Sequence, residues 1–242
     1  MLAGLMAVSA YGNSTSFGVI RVHETGWALL APGLLVALAS GAAGALFARL
    51  LLASLSGRGG DRFSRWRAAH PVRFAAGCGL AVAVLGLASG GAVFGSGYQT
   101  TRGLLEGGQD TPPLYVLLKF VATWVTAWSG VPAGIFAPSL SIGAGLGADM
   151  ARLTGYADAP ALIALGMAGF LAAATQAPLT AFIIVMEMVD GHGMVLSLMA
   201  CAMLASLVSR LLTPPLYATL AQMQLQRVEP PPGSPAAAPG HP

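Results

Sequence analysis

Five stretches of this chain contain no Asp, Glu, Lys or Arg: residues 26–48, 74–101, 120–148, 159–186 and 191–209. Each matches or exceeds the roughly 18–20 residues that a helix needs to cross a hydrocarbon core of about 30 Å. A large soluble core could bury one such segment, but five in succession are not compatible with a soluble fold. Composition agrees, with 9% charged and 55% hydrophobic residues, where soluble domains run near a quarter charged. The expected fold class is all-α, a polytopic membrane protein.

The placement of charge orients the chain. Net charge is only +3, but Arg58, Arg62, Arg65, Arg67 and Arg73 all fall between the first two apolar stretches. The positive-inside rule puts that connection in the cytoplasm, and it is too short to serve as a nucleic-acid patch, so no nucleic acid is expected as a partner. Cys78 and Cys201 lie inside apolar stretches with no nearby Cys or His, and read as small buried residues. Residues 2–10 resemble a secretory hydrophobic region, but no Lys or Arg precedes them, which argues against a signal peptide.

The chain divides into an apolar and turn-like segment at 1–25, a transmembrane region at 26–228 and a Pro/Ala-rich tail at 229–242, expected to be disordered. Spanning helices are expected near 27–55, 72–94 and 194–212, with an extramembrane connection at 98–113. Gly41 and Gly44, Gly86 and Gly90, and Gly143 and Gly147 offer small-residue faces for close helix packing. Residues 143–147 alternate glycine like a nucleotide loop, but the spacing is wrong and no strand precedes them. Metal-ligand spacing and a plausible Ser–His–Asp arrangement are both absent from the sequence, so neither a cofactor nor an enzyme is expected. Many of the 32 glycines and 16 prolines sit within the apolar stretches. In lipid, irregular backbone is tolerated only where protein buries it or it lines a cavity, which points to a transporter or channel rather than an anchor.

The sharpest irregularity is Ser129-Gly130-Val131-Pro132-Ala133-Gly134-Ile135-Phe136-Ala137-Pro138. Each proline removes a donor and clashes with the preceding turn, so two shorter helices are expected, the second starting near Phe136 inside the membrane. Its first N–H groups lack intrahelical partners and carry the positive end of the dipole. With no acidic side chain between Lys119 and Asp149, a diffusible anion is the economical partner. The alternative is a packing kink whose donors are satisfied by Ser129, Ser139 or water. Further breaks at residues 175–178 and 212–215 suggest a shared polar cavity. Glu187 and Asp190 precede a turn and read as a solvated helix terminus.

Gly134-Ile135-Phe136-Ala137-Pro138 resembles the GxFxP signature of the CLC chloride channels and proton-coupled chloride antiporters. The resemblance continues through Gly166-Met167-Ala168-Gly169-Phe170, Ala177-Pro178-Leu179-Thr180 and Glu187-Met188 to Pro215-Leu216-Tyr217, four blocks in family order over about 90 residues. It implies that the fold resembles the second half of the CLC fold, with broken, re-entrant helices in a multi-pass protein of a bacterial inner membrane. It also implies transport of chloride or a similar small anion held at Gly134, Ile135, Phe136, Ala137 and Pro138, chiefly by the Ile135 and Phe136 amides, and by the Tyr217 hydroxyl. Tyr217 as an interfacial aromatic anchor remains the alternative. The family pattern further implies a homodimer through residues 178–189 and 194–212, faces that would equally suit lipid. Neither the GSGIP-type nor the GREGP-type segment of the family's first half is found. The chain is therefore expected to represent one inverted repeat plus the final short helix, inactive alone or completed by a separate first-half polypeptide.

Overall fold

The computed structural model describes residues 6, 9, 17, 27–56, 62–107, 112 and 114–228, and their regular structure is helical, with no strands. Nearly all of the segment 1–25 and the whole tail 229–242 lie outside the described residues. The helices are α1 (Leu30–Ser56, entered through a 3-10 turn at Trp27–Leu29), α2 (Arg62–Ala69), α3 (Pro71–Ala88), α4 (Tyr98–Leu105) and α5 (Tyr115–Trp128). They continue with α6 (Phe136–Thr154), α7 (Ala159–Thr175), α8 (Pro178–Val189), α9 (Val195–Leu212, entered through a 3-10 turn at His192–Met194) and α10 (Leu216–Val228).

Helix α7 is the axis of the bundle. It is apolar on every side, and each residue from 161 to 174 is buried, as a helix without a polar face must be. Helices α1, α6 and α9 surround it, with α8 folded back along it. Glycines set the spacing. A Cβ on Gly143 would come within 2.8 Å of Met167 Cα, and one on Gly147 would come 2.5 Å from Ile163 Cα. Helices α6 and α7 are therefore antiparallel and in near backbone contact. Gly44 meets Ala173 of α7 and Gly41 meets Val208 of α9 in the same manner. Van der Waals contact of this kind holds helices together where lipid removes the hydrophobic drive.

Three described helical segments are long and apolar enough to cross a membrane: Trp27–Leu55, Pro71–Ala88 and His192–Leu212. The uncharged stretches 120–148 and 159–186 each hold two shorter pieces, α5 with α6 and α7 with α8. The expected second span ends early. Helix α3 stops at Ala88, because Gly90, Gly91, Gly95 and Gly97 all take positive φ, from 62 to 89°. Gly86 and Gly90 consequently form no helix-packing face; the ring of Phe94 folds back over Gly86. Both polar connections carry helices of their own. Arg67 of α2 donates from Nη1 to Ser54 O at 3.2 Å and to Trp128 O at 3.3 Å, satisfying carbonyls at the ends of α1 and α5. Phe74 packs edge-on between Trp66 and Trp128, and Trp128 stacks on Trp124.

Candidate anion site

Helix α5 ends against Arg67, and Gly130 at φ 82° turns the chain through residues 131–135 into α6. Tyr115, the first residue of α5, hydrogen-bonds Ser141 at 2.5 Å. Ser141 lies only five residues into α6, roughly 8 Å at 1.5 Å per residue, whereas α5 itself runs on for about 20 Å beyond Tyr115. The chain therefore climbs back along α5 before α6 begins, the re-entrant start expected from the sequence.

Helix α6 starts without a side-chain cap. Its N-cap residue is Ile135, at φ −94° and ψ −10°. The Ser139 hydroxyl donates back to Ile135 O at 2.6 Å rather than accepting from the helix start. Ser129 donates to Thr126 O at 2.6 Å and accepts only from Val131 N–H at 3.2 Å. Neither serine fills the role that the packing-kink alternative gave it. Among the described residues, the Ile135 and Phe136 N–H groups have no hydrogen-bond partner. Pro138 has no N–H, and its ring preorganises the first turn. Gly134, Phe136 and Ala137 are exposed, while Ile135 and Pro138 are half-buried. What results is a set of free backbone donors at a positive helix end, with no carboxylate in its first turn.

Tyr217 is the second residue of α10 and 50% exposed, and its hydroxyl has no hydrogen-bond partner among the described residues. It lines a cleft of about 670 Å³ with Thr175, Gln176, Arg210, Thr213 and Pro215. Two of the three expected breaks, those at 175–178 and 212–215, thus share a cleft of mixed polar and apolar lining. Residues 134–138 do not line it. They join it through apolar packing, since Ile135 and Leu216 belong to one cluster with Phe47, Phe170 and Ala174. The structure brings the two halves of the candidate site to one end of the bundle without placing them in a common cavity.

Gln176 and Lys119 were not singled out as site residues in the sequence. Gln176 ends α7 at φ 56°, donates from Nε2 to Thr213 O at 2.9 Å, and accepts from Arg210 Nη2 at 3.2 Å. The usable signal is a carboxamide two residues before a proline within an uncharged stretch. Lys119 is the one charged residue of α5, and in the sequence it does no more than bound an uncharged stretch. Glu187 is exposed on the last turn of α8, and Asp190 follows at φ 50° with His192 Nδ1 3.8 Å away. Both acids sit at a solvated helix end.

The family described as voltage gated chloride channel matches residues 1–210, a span that includes the α6 segment and stops short of Tyr217. A voltage-gated ClC-type chloride channel ClcB from Citrobacter koseri is 32% identical over 187 residues, covering 72% of this chain and 42% of its relative. A putative chloride channel protein ClcB-like from Ralstonia nicotianae is 37% identical over 186 residues, 73% of this chain and 42% of that protein. An H(+)/Cl(-) exchange transporter ClcA from Klebsiella pneumoniae is 35% identical over 120 residues, 47% of this chain and 25% of that one. The chain thus spans less than half the length of the curated relatives it matches. The crystal structure of a CLC-type fluoride/proton antiporter superposes with a TM-score of 0.71, at 23% identity over 84% of this chain and 49% of that one, and shows the fold. The family match over most of its length, on a bundle with that fold, makes this chain an integral membrane protein of the voltage-gated chloride channel family.

Proposed function

We propose that the chain takes part in transmembrane transport of chloride or a similar small anion. The anion would be held by the Ile135 and Phe136 amides at the start of α6 and by the Tyr217 hydroxyl. The observation that carries this reading is the uncapped α6 N-terminus, its amides free and its first turn without a carboxylate. Backbone donors give a site without a full fixed charge, so an anion can both enter and leave. The bacterial relatives support placement in an inner membrane. Chloride efflux from liposomes holding the purified chain, alone and with a polypeptide carrying the family's first half, tests the proposal. Efflux above that of empty vesicles in at least one preparation is expected, with Tyr217→Phe weakening chloride binding by a factor of about ten to a hundred, the worth of one hydrogen bond to an anion. No efflux from either preparation would end the transport reading, and unchanged binding in Tyr217→Phe would remove Tyr217 from the site.

The exposure of Gly134, Phe136 and Ala137 favours a second reading, in which another polypeptide surface completes the site. The chain alone would then be transport-inactive and act as an association partner. Efflux only when both polypeptides are present distinguishes this from a self-sufficient transporter. Transport reconstituted from the chain alone would rule it out.

A further inference from the structure

Lys119 is 1% exposed, yet among the described residues no carboxylate pairs with it. A buried, unpaired charge within a membrane bundle is costly and marks a functional demand. The ammonium donates to Val93 O at 2.9 Å and to Gly95 O at 2.8 Å. Both carbonyls belong to the non-helical segment 89–97, where turn hydrogen bonds engage Ser89 O and Gly91 O but, among the described residues, no backbone N–H reaches Val93 O or Gly95 O. Such groups need donors from elsewhere when water is scarce. An ammonium, with three donors on a long stem, can serve several at once.

One helical turn earlier on α5, Tyr115 hydrogen-bonds Ser141 of α6, and the Ser141 hydroxyl reaches Gly97 O at 3.3 Å. Tyr115 is 2% and Ser141 1% exposed. Gly97 has to be glycine both for its φ of 84° and because a Cβ there would overlap Ser141. The non-helical segment is therefore gripped from α5 by Lys119 and from α6 by Ser141. Ser141 is only five residues from Phe136, along a continuous helix.

We infer that Lys119 is a positioning residue for the anion segment. Its ammonium locks segment 89–97 onto α5, and the Tyr115–Ser141–Gly97 hydrogen bonds pass that fixed position to α6, setting the depth at which the free Ile135 and Phe136 amides lie. The positioning is a statement about structure; its consequence for anion binding rests on the function proposed above.

Hydrogen exchange of the purified chain in detergent, compared among wild type, Lys119→Met, Lys119→Arg and Ser141→Ala, tests it. Lys119→Met should speed exchange roughly tenfold in both 89–97 and 136–142, as expected when a local anchor is lost. Lys119→Arg should restore protection, and Ser141→Ala should loosen 136–142 while leaving 89–97 protected. If Lys119→Met loosens 89–97 alone, or neither segment, the positioning role is overturned. Should Lys119→Met fail to fold, Ser141→Ala decides by itself, and unchanged exchange at 136–142 refutes the link. Chloride titration calorimetry on the same samples separates the two claims. Weaker binding in Lys119→Met than in wild type and Lys119→Arg supports the functional consequence. No binding by the wild type overturns an anion site held by this chain alone, and with it the functional consequence tested here, while the exchange pattern still judges the positioning.

Discussion

Pro138 brings no amide to the first turn of α6, and Ser139 turns its hydroxyl back onto Ile135 O. The donors left at that helix start belong to Ile135, Phe136 and Ala137. Because they are backbone groups, the informative substitution is one that deletes an amide while keeping the helix. Proline does this at the first helical position, where its fixed φ already suits the turn. Phe136→Pro is expected to weaken chloride binding by a factor of about ten to a hundred, the 1.5–3 kcal/mol of a hydrogen bond to a charged group. Phe136→Ala keeps the amide and should bind within a few-fold of wild type. Equal loss in both variants, read by calorimetry, would shift the credit from the amide to the ring. At this scale the sequence was a good guide to donors and a poor one to their neighbours. The helix start near Phe136 was legible from two prolines and two glycines in nine residues, while the absence of a serine cap was not. The grip of Lys119 on Val93 and Gly95 was not, because it joins positions 24 and 26 residues apart.

Helix boundaries inside lipid follow from which backbone groups can find partners. Helices α5 to α9 start and stop close to where proline and glycine placed them. Helix α3 is shorter than its apolar run, because hydropathy cannot distinguish an apolar helix from an apolar turn, and Gly90 and Gly91 adopt positive φ within an uncharged stretch. The small-residue pairs also divide by context. Gly143 and Gly147 become an interface because α7 presents Gly166 to them, while Gly86 meets only the Phe94 ring of its own turn. The α6–α7 contact has no room for a methyl group. A Cβ on Gly166 would overlap Gly143 O and come 2.9 Å from Gly147 N. Gly166→Ala should cost about 1–3 kcal/mol, the usual penalty of overpacking. Thermal unfolding in detergent should show a midpoint lower by several degrees, at roughly 2–4 °C per kcal/mol. An unchanged midpoint would mean that the two helices part without cost.

At the scale of the whole molecule, the helix breaks gather at one end. Arg67 holds the end of α5 beside the end of α1, and Arg210 holds the end of α7 beside that of α9. Phe47 to Leu52 of α1 and the last turns of α7 meet Ile135 and Leu216 in one cluster. This is also the end toward which the arginines of α2 lie, and we propose that it faces the cytoplasm, as the positive-inside rule implies. The opposite demand is lateral. Leu179 and Ile183 of α8 and Leu196, Leu207 and Leu211 of α9 are exposed. We propose that a second copy of the chain covers this face, as the family resemblance implies. Ile183→Trp with Leu207→Trp should then convert the purified species from dimer to monomer in multi-angle light scattering. A wild-type monomer would leave the face to lipid. Charge-free length and the spacing of prolines and glycines determined by themselves that the chain lies in a membrane and that its helices break within it, since both are consequences of local backbone chemistry. Only tertiary packing decided that two breaks share a cleft while the third joins them through apolar contact, and that a lysine holds the turn behind α6. Partners distant in sequence meet only once glycine contacts have set how closely the helices approach.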